Sequence, residues 1–381
     1  MAARVDPLHV QAKHQSMHHF VANAPWDDVA LLRIAREQVL DQMDRHGGII
    51  AWIVDDTGIP KKGKHSVGVA RQYCGNTDKR DNCQVAVSLT LSNEAVSVPA
   101  AYRLYLPEEW ATDLAKRRAA SIPEDVAFRK KWEMALEQIA WLVNEGIPVA
   151  PILGDAGYGN VTEFRDQITE WRLPYMVGIS EKTTVWPPGE EPLPPKRYSG
   201  RGQPPRRMRR DDDHRPLDVE SLAKGLPGSA WQEIAWREGT KGTMGSRFAT
   251  LRVRPAHRDY NRHEPRPIEW LVIEWPRGEG APTKYWLSTM PADTSNEHLV
   301  KLGKIRWRIE RDYQELKDEF GLDHYEGRGW RGFHHHATMC IAAYAFLAAE
   351  RARFSPPGPL SFLEAPPVPE GFKPRGSPGA T

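Results

Sequence analysis

Two short apolar runs, each closed by aspartate, constrain this chain more than anything else in it. Ile49-Ile50-Ala51-Trp52-Ile53-Val54 runs into Asp55-Asp56, and Ile147-Pro148-Val149-Ala150-Pro151-Ile152-Leu153-Gly154 runs into Asp155. Apolar stretches of this length without polar alternation suit strands covered on both faces. The two prolines weaken the first half of the second run as a strand. A sheet built on such strands needs helices to cover it, and the flanking pattern supplies them. Leu31, Leu32, Ile34, Val39 and Met43 predict a helix over 26–45, stopped by Gly47-Gly48. Phe128, Trp132, Leu136 and Ile139 predict a second over 128–144. Asn160 with Glu163 reads as a capping pair for a third over 161–171. Residues 174–179 form another buried strand, so strand, helix and strand in this order imply a parallel crossover. Strand-like runs near 66–73 and 82–91 join the first run in an expected three-stranded meander.

At 381 residues the chain holds one large domain or two ordinary ones. Lys and Arg number 52 against 50 Asp and Glu, a net charge of +2, so any basic nucleic-acid surface is a local patch. Three cysteines with no CxxC spacing point to a reducing, cytoplasmic setting with neither a disulfide frame nor a structural zinc site. No apolar run approaches the ~18 residues of a membrane span, and the first twenty residues lack a signal-peptide core. Between 185 and 230 the chain is rich in Pro, Gly and charge. Lys196, Arg197, Arg201, Arg206, Arg207, Arg209 and Arg210 occur there with no acid among them, as in an irregular loop able to contact a DNA backbone. Short strands recur at 247–254, 268–275 and 284–288, so 181–292 reads as a β-rich insertion. A helix over 294–320, another over 334–353 and a disordered Pro/Gly-rich tail over 354–381 complete the expectation.

A carboxylate at the end of a buried parallel strand lies at the rim of the sheet, where α/β sites form. Downstream, Arg306, Glu310, Gln314 and Lys317 fall at i, i+4, i+8 and i+11 and share one side of a helix, while Ile305, Ile309 and Leu316 make its apolar stripe. Alone, that charged side is an ordinary ion-paired surface. Set against Asp55 and Asp155, Glu310 becomes a third candidate carboxylate. Three ionised carboxylates converging would repel one another, so a cation is required. Hard oxygen donors suit Mg²⁺ or Mn²⁺. Two such ions about 3.5–4 Å apart can activate a water and stabilise the leaving oxygen in phosphodiester cleavage. Lys61, Lys62 and Lys64 follow Asp55 closely and are expected near a scissile phosphate. His334-His335-His336 is not a metal site, because neighbours on a helix point about 100° apart.

The block from Val54-Asp55-Asp56-Thr57-Gly58-Ile59-Pro60-Lys61-Lys62-Gly63-Lys64 to Gln72-Tyr73 resembles the first-Asp block of the DDE insertion-sequence transposases, in the branch that cuts and pastes through hairpin ends. Their Asp-x-Thr pattern selects Asp55 over Asp56. Gly154-Asp155-Ala156-Gly157-Tyr158-Gly159 is similar to the second-Asp block. Arg306, Glu310 and Lys317 match the signature Tyr-x-x-Arg-x-x-x-Glu-x-x-x-x-x-x-Lys, whose first position is Gly303 here. The resemblance implies an α/β fold with an RNase H-like core, a mixed sheet flanked by helices and interrupted by the β-rich insertion between the second Asp and the Glu. It implies a helical DNA-binding segment at 1–46, truncated or reduced relative to the family, then core at 47–180, insertion at 181–292 and core again at 293–353. It also implies that Asp55, Asp155 and Glu310 bind two Mg²⁺ or Mn²⁺ ions and that Arg306 and Lys317 grip phosphates. The partners would be double-stranded DNA, as the element's terminal inverted repeats and as target, and a second copy of the chain in a DNA-bound homodimer. The activity would be metal-dependent cleavage at element ends and strand transfer. A transposase-derived DNA-binding protein without catalysis and an RNase H-like repair nuclease are the alternatives.

Overall fold

The computed structural model describes residues 2–239 and 242–355. Their contacts divide into two units, one made of residues 2–149 and 307–355, the other of 150–306. The fold is mixed α/β, with a mixed sheet flanked by helices.

The first unit is built on four antiparallel strands: β1 (Ala51–Pro60), β2 (Ala70–Cys74), β3 (Lys79–Ser92) and β4 (Ser97–Leu104). β3 is the centre. β1 pairs along one edge, from Ala51 opposite Ser92 to Pro60 opposite Cys83, and β2 and β4 share the other edge. The expected meander is therefore corrected, since β1 pairs with β3 and not with β2. The link from β1 to β2, residues 61–69, is too long for a tight hairpin, whereas β2 and β3 are joined by a short turn with Asp78 at φ 48°. β1 also runs four residues beyond Asp56, so Asp55 sits within the strand rather than at its end.

Helix Lys131–Asn144 covers one face of this sheet, with the Gln138 side chain donating to the Val87 carbonyl at 3.0 Å. Helices Asp28–Arg45, Trp307–Asp318 and Trp330–Phe354 pack with β4. The three consecutive histidines each find a different partner. His334 contacts the Trp330 carbonyl and Leu104 N–H, His335 the carbonyls of Val21 and Trp26, and His336 the Gly321 carbonyl. Helix Val10–Ala22, for which the sequence shows no apolar pattern, packs along Trp330–Phe354 and has no buried residue of its own.

In the second unit β5 (Ile152–Gly154) and β6 (Tyr175–Ile179) are parallel, joined through helix Thr162–Glu170 as the crossover pattern requires. Asn160 does not cap that helix. Val161 is the N-cap residue, and the Asn160 side chain accepts instead from the Ser180 N–H at 2.8 Å. Antiparallel strands follow: β7 (Thr184–Trp186), β8 (Leu217–Asp218), β9 (Gln232–Gly239), β10 (Gly242–Pro255), β11 (Glu269–Trp275) and β12 (Lys284–Ser288). β12 pairs with β6, so the order is β5-β6-β12-β11-β10, with β9 and the β7–β8 pair on the far edge of β10.

The single helix expected over 294–320 is two, Asn296–Ile305 and Trp307–Asp318, interrupted at Arg306 with its backbone still in the right-handed region. The last helix begins earlier than expected, at Trp330, and reaches Phe354. All but the first two residues of the expected disordered tail lie outside the described residues.

Candidate active site

Pairing decides which of the two adjacent aspartates faces which way. Asp55 lies opposite Ser88 and Asp56 opposite Val87, and side chains of directly paired residues share a face. On the Asp56 face, helix Lys131–Asn144 places Lys131 in an ion pair with the Asp56 carboxylate. On the Asp55 face, the Ser88 hydroxyl meets the Tyr313 hydroxyl of helix Trp307–Asp318 at 2.7 Å. Burial, and then the charge of Asp55, hold the Tyr313 phenol well above its ordinary value. Asp55 is buried, and its Oδ1 accepts from the Asp56 N–H at 2.8 Å.

The same helix carries Glu310, and one contact fixes its register against β1. The Lys317 ammonium donates to the Gly58 carbonyl at 3.0 Å. Glu310 lies seven residues before Lys317, nearly two turns back on the same side, or roughly 10.5 Å along the axis. Asp55 lies three residues before Gly58, roughly 10 Å along the strand. With Tyr313 at Ser88, the residue opposite Asp55, and Lys317 at Gly58, helix and strand run in the same sense, and Glu310 falls one turn before Tyr313, ~5 Å along the axis from the level of Asp55. Ile309, Asp312, Tyr313 and Leu316 anchor the helix in the core while Glu310 stays exposed at the edge of the packed face. Asp312 is a second anchor: the Ser97 hydroxyl donates to its Oδ2 at 2.5 Å and the Tyr344 hydroxyl to its Oδ1 at 2.8 Å. Burial pushes this carboxyl up to about 6.

Asp155 belongs to the other unit. It follows β5 directly and caps the helical turn Ala156–Gly159, its Oδ1 accepting from the N–H groups of Gly157 at 2.8 Å and Tyr158 at 3.4 Å. That leaves Oδ2 as the oxygen available to a cation. The turn must lie tight on β6, because a Cβ at Gly159 would fall 1.9 Å from the Gly178 carbonyl oxygen.

The candidate phosphate-binding residues separate on inspection. Lys61 is turned inward, donating to the carbonyls of Asp323 at 3.3 Å and Tyr325 at 2.6 Å, and burial lowers its pKa. Lys317, holding Gly58, is likewise lowered by burial. Lys62 and Lys64 are exposed. All three loop lysines are farther from Asp55 than their closeness in sequence suggested, since β1 stays extended to Pro60 and spans about 17 Å from Asp55. Arg306 is the residue between the two helices, the last of the second unit. Gly303, in the signature's Tyr position, is a close-packing residue: a Cβ there would come within 2.7 Å of Met176 Cε, with Trp286 also at 3.6 Å.

Sequence reasoning missed Tyr313, Ser88 and Asp312. Ser88 did leave a signal, a hydroxyl amid the apolar positions of β3. Carboxylate oxygens are hard donors, and their chemistry fits a hard divalent cation. Among the described residues, no three His, Cys, Asp or Glu side chains are gathered into a group able to hold a metal ion. Among them, too, no helix is long and apolar enough to cross a membrane.

The family described as DDE superfamily endonuclease matches residues 1–243, a stretch that contains both Asp55 and Asp155. A probable transposase for insertion sequence element IS701 from Microchaete diplosiphon is 32% identical over 166 residues, which are 43% of this chain and 40% of that relative. The match thus spans well under half of the relative's length. With more than half of its length matched by the family, the chain belongs to the DDE superfamily endonucleases.

Proposed function

We propose that this protein is a DNA transposase of the insertion-sequence type, acting in the cytoplasm on double-stranded DNA. It would cut at the element's terminal inverted repeats and join the freed 3′-OH to target DNA, as a homodimer that holds two ends. What supports this reading is that Tyr313 and Lys317 seat the helix that carries Glu310 on the face of β1 from which Asp55 projects, while Asp56 pairs with Lys131 on the other. In this reading 47–180 and 293–353 form an RNase H-like core, 1–46 is a helical DNA-binding segment, and 181–292 is an insertion between the second acid and the third.

Asp55, Asp155 and Glu310 would hold two Mg²⁺ or Mn²⁺ ions, which supply Lewis acidity and an activated water when bound. The chain's own groups do the positioning. Tyr313 and Ser88 fill the space beside Asp55, and Lys317 keeps the Glu310 helix in register through Gly58. Asp312, fastened to Ser97 and Tyr344, prevents that helix from rolling. Arg306 is assigned to a DNA phosphate.

The test is cleavage and strand transfer on a duplex ending in the terminal repeat, with Mg²⁺ or Mn²⁺. Asp55→Asn, Asp155→Asn and Glu310→Gln should each lower the rate by at least a hundredfold, and Asp56→Asn by less than tenfold. An Asp55→Asn protein that cleaves normally while Asp56→Asn does not would sink the assignment. Binding without cleavage by wild type, with either ion, would favour the non-catalytic alternative.

A further inference from the structure

The chain as a whole is nearly neutral, yet one groove in the first unit is not. A cavity of 1130 Å³ lies among the loop after β1, the β2–β3 hairpin and the helical segment 108–119. Seven Lys and Arg side chains line it, Lys62, Lys64, Arg71, Arg80, Lys116 and Arg328 among them, against two carboxylates, Asp81 and Glu109. The groove therefore carries a net +5, where the whole chain carries +2. Among the described residues none of these six cations is in an ion pair, whereas Arg33, Arg36, Lys131, Arg266 and Lys304 elsewhere each have a carboxylate.

The loop that carries Lys62 and Lys64 is fastened down. Asn82 donates to the Gly63 carbonyl at 2.9 Å and also to that of Lys61, Gln84 to the Val67 carbonyl at 2.7 Å and the Trp110 indole to the Val69 carbonyl at 2.8 Å. The Val67 N–H donates to the Arg328 carbonyl at 3.2 Å. Its ammonium groups are thus presented from a fixed backbone, and a ligand there need order only the side chains and not the loop. Unpaired cations spread around an open groove fit a chain of phosphates better than a single anion.

We propose that this groove binds the phosphate backbone of DNA, flanking the cut. The inference rests on the transposase reading for its placement. β1 carries the loop with Lys62 and Lys64 about 17 Å from Asp55, so the phosphates held there lie to the side of the scissile one and not at it.

The experiment is the salt dependence of binding to a fluorescent duplex of arbitrary sequence, in EDTA so that no chemistry intervenes. Comparing wild type with the exposed pair K62Q/K64Q, the slope of log K against log salt should fall by roughly 2, about 0.9 for each lost phosphate contact. The control K182Q/K284Q, two exposed lysines of the other unit, should change it by less than half as much. An unchanged slope for K62Q/K64Q, or an equal loss in the control, overturns the proposal whatever the cleavage assays show. An unchanged slope with loss of inorganic phosphate binding would make the groove a small-anion site and also overturn it. A groove-dependent slope in a protein that never cleaves DNA would leave the groove standing and remove the transposase reading instead.

Discussion

Lys304 offers a sharp test of what holds the helix before Arg306 in place. Its ammonium lies 2.7 and 2.6 Å from the two carboxylate oxygens of Glu274 on β11, with the side chains 14% and 5% exposed. It also sits 4.1 Å from the Trp236 ring, with the rings of Phe248 and Trp286 beyond. Burial lowers the Lys304 pKa even though Glu274 opposes the shift, so desolvation is a substantial part of the balance. Lys304→Met removes the charge but leaves Glu274 buried without its partner, a loss of about 3–5 kcal/mol. The lost cation–π contact adds about 0.5–2 kcal/mol, partly recovered by a thioether packed on Trp236. Lys304→Met with Glu274→Met buries neither charge and should fall within about 1 kcal/mol of wild type or exceed it. The coupling between the two sites should then be about 3 kcal/mol or more. Urea denaturation followed by tryptophan fluorescence reads this directly, because Trp236 and Trp286 flank the pair. If Lys304→Met costs less than 1 kcal/mol, or if the double variant loses the sum of the single losses, the account of the clamp is wrong.

His334 should make the first unit sensitive to acid. Its Nδ1–H donates to the Trp330 carbonyl and its Nε2 accepts the Leu104 N–H, which only the neutral ring can do, and burial lowers it to about 4 from 6.5. The unfolded chain takes up the proton first, so this stability is whole above pH ~6.5 and is lost as pH falls toward 4, amounting to about 3 kcal/mol. Hydrogen exchange of the Trp330–Phe354 amides against pH should show that decline in wild type, and His334→Gln should flatten it. At Gly303, Ala should change the melting temperature little, because helix propensity gained offsets a small shift of the Met176 side-chain end. Tyr, the residue of the signature, should destabilise by about 2 kcal/mol or more for want of space, and a stable Gly303→Tyr protein would contradict the packing.

How much of this could be read beforehand varied with the range of the interactions involved. The helix over Asp28–Arg45 and the parallel β5–β6 crossover followed from local period and apolar runs. The pairing of β1 with β3 did not, because it depends on how a pinned nine-residue loop compares with a short turn. The extent of β1 was misjudged because Asp55, Asp56 and Thr57 look like a strand end, yet the strand continues and Asp56 is held on one face by the distant Lys131. Asp55 and Glu310 could be singled out by residue type and spacing, but the register of the helix on β1 needed Lys317 on Gly58, a contact 259 residues apart in sequence. For the same reason Lys61 was expected beside a scissile phosphate: nothing local says that the carbonyls of Asp323 and Tyr325 will take it.

That the first unit is written in two pieces has a consequence during synthesis. Its four strands are complete once Leu104 has been made, but the helices that pack beside Tyr313 and His334 end only at Phe354, 250 residues later. At about 5–20 residues per second the ribosome needs roughly 12–50 s to supply them. Throughout that interval Ile59, Ala86 and Leu104, which pack with Phe333 in the finished protein, wait on a half-covered sheet while the entire second unit emerges. A chain released early would hold Asp55 and Asp155 but neither Glu310 nor the cover for its own core. Premature termination should therefore yield an aggregation-prone fragment, open to chaperones and proteases.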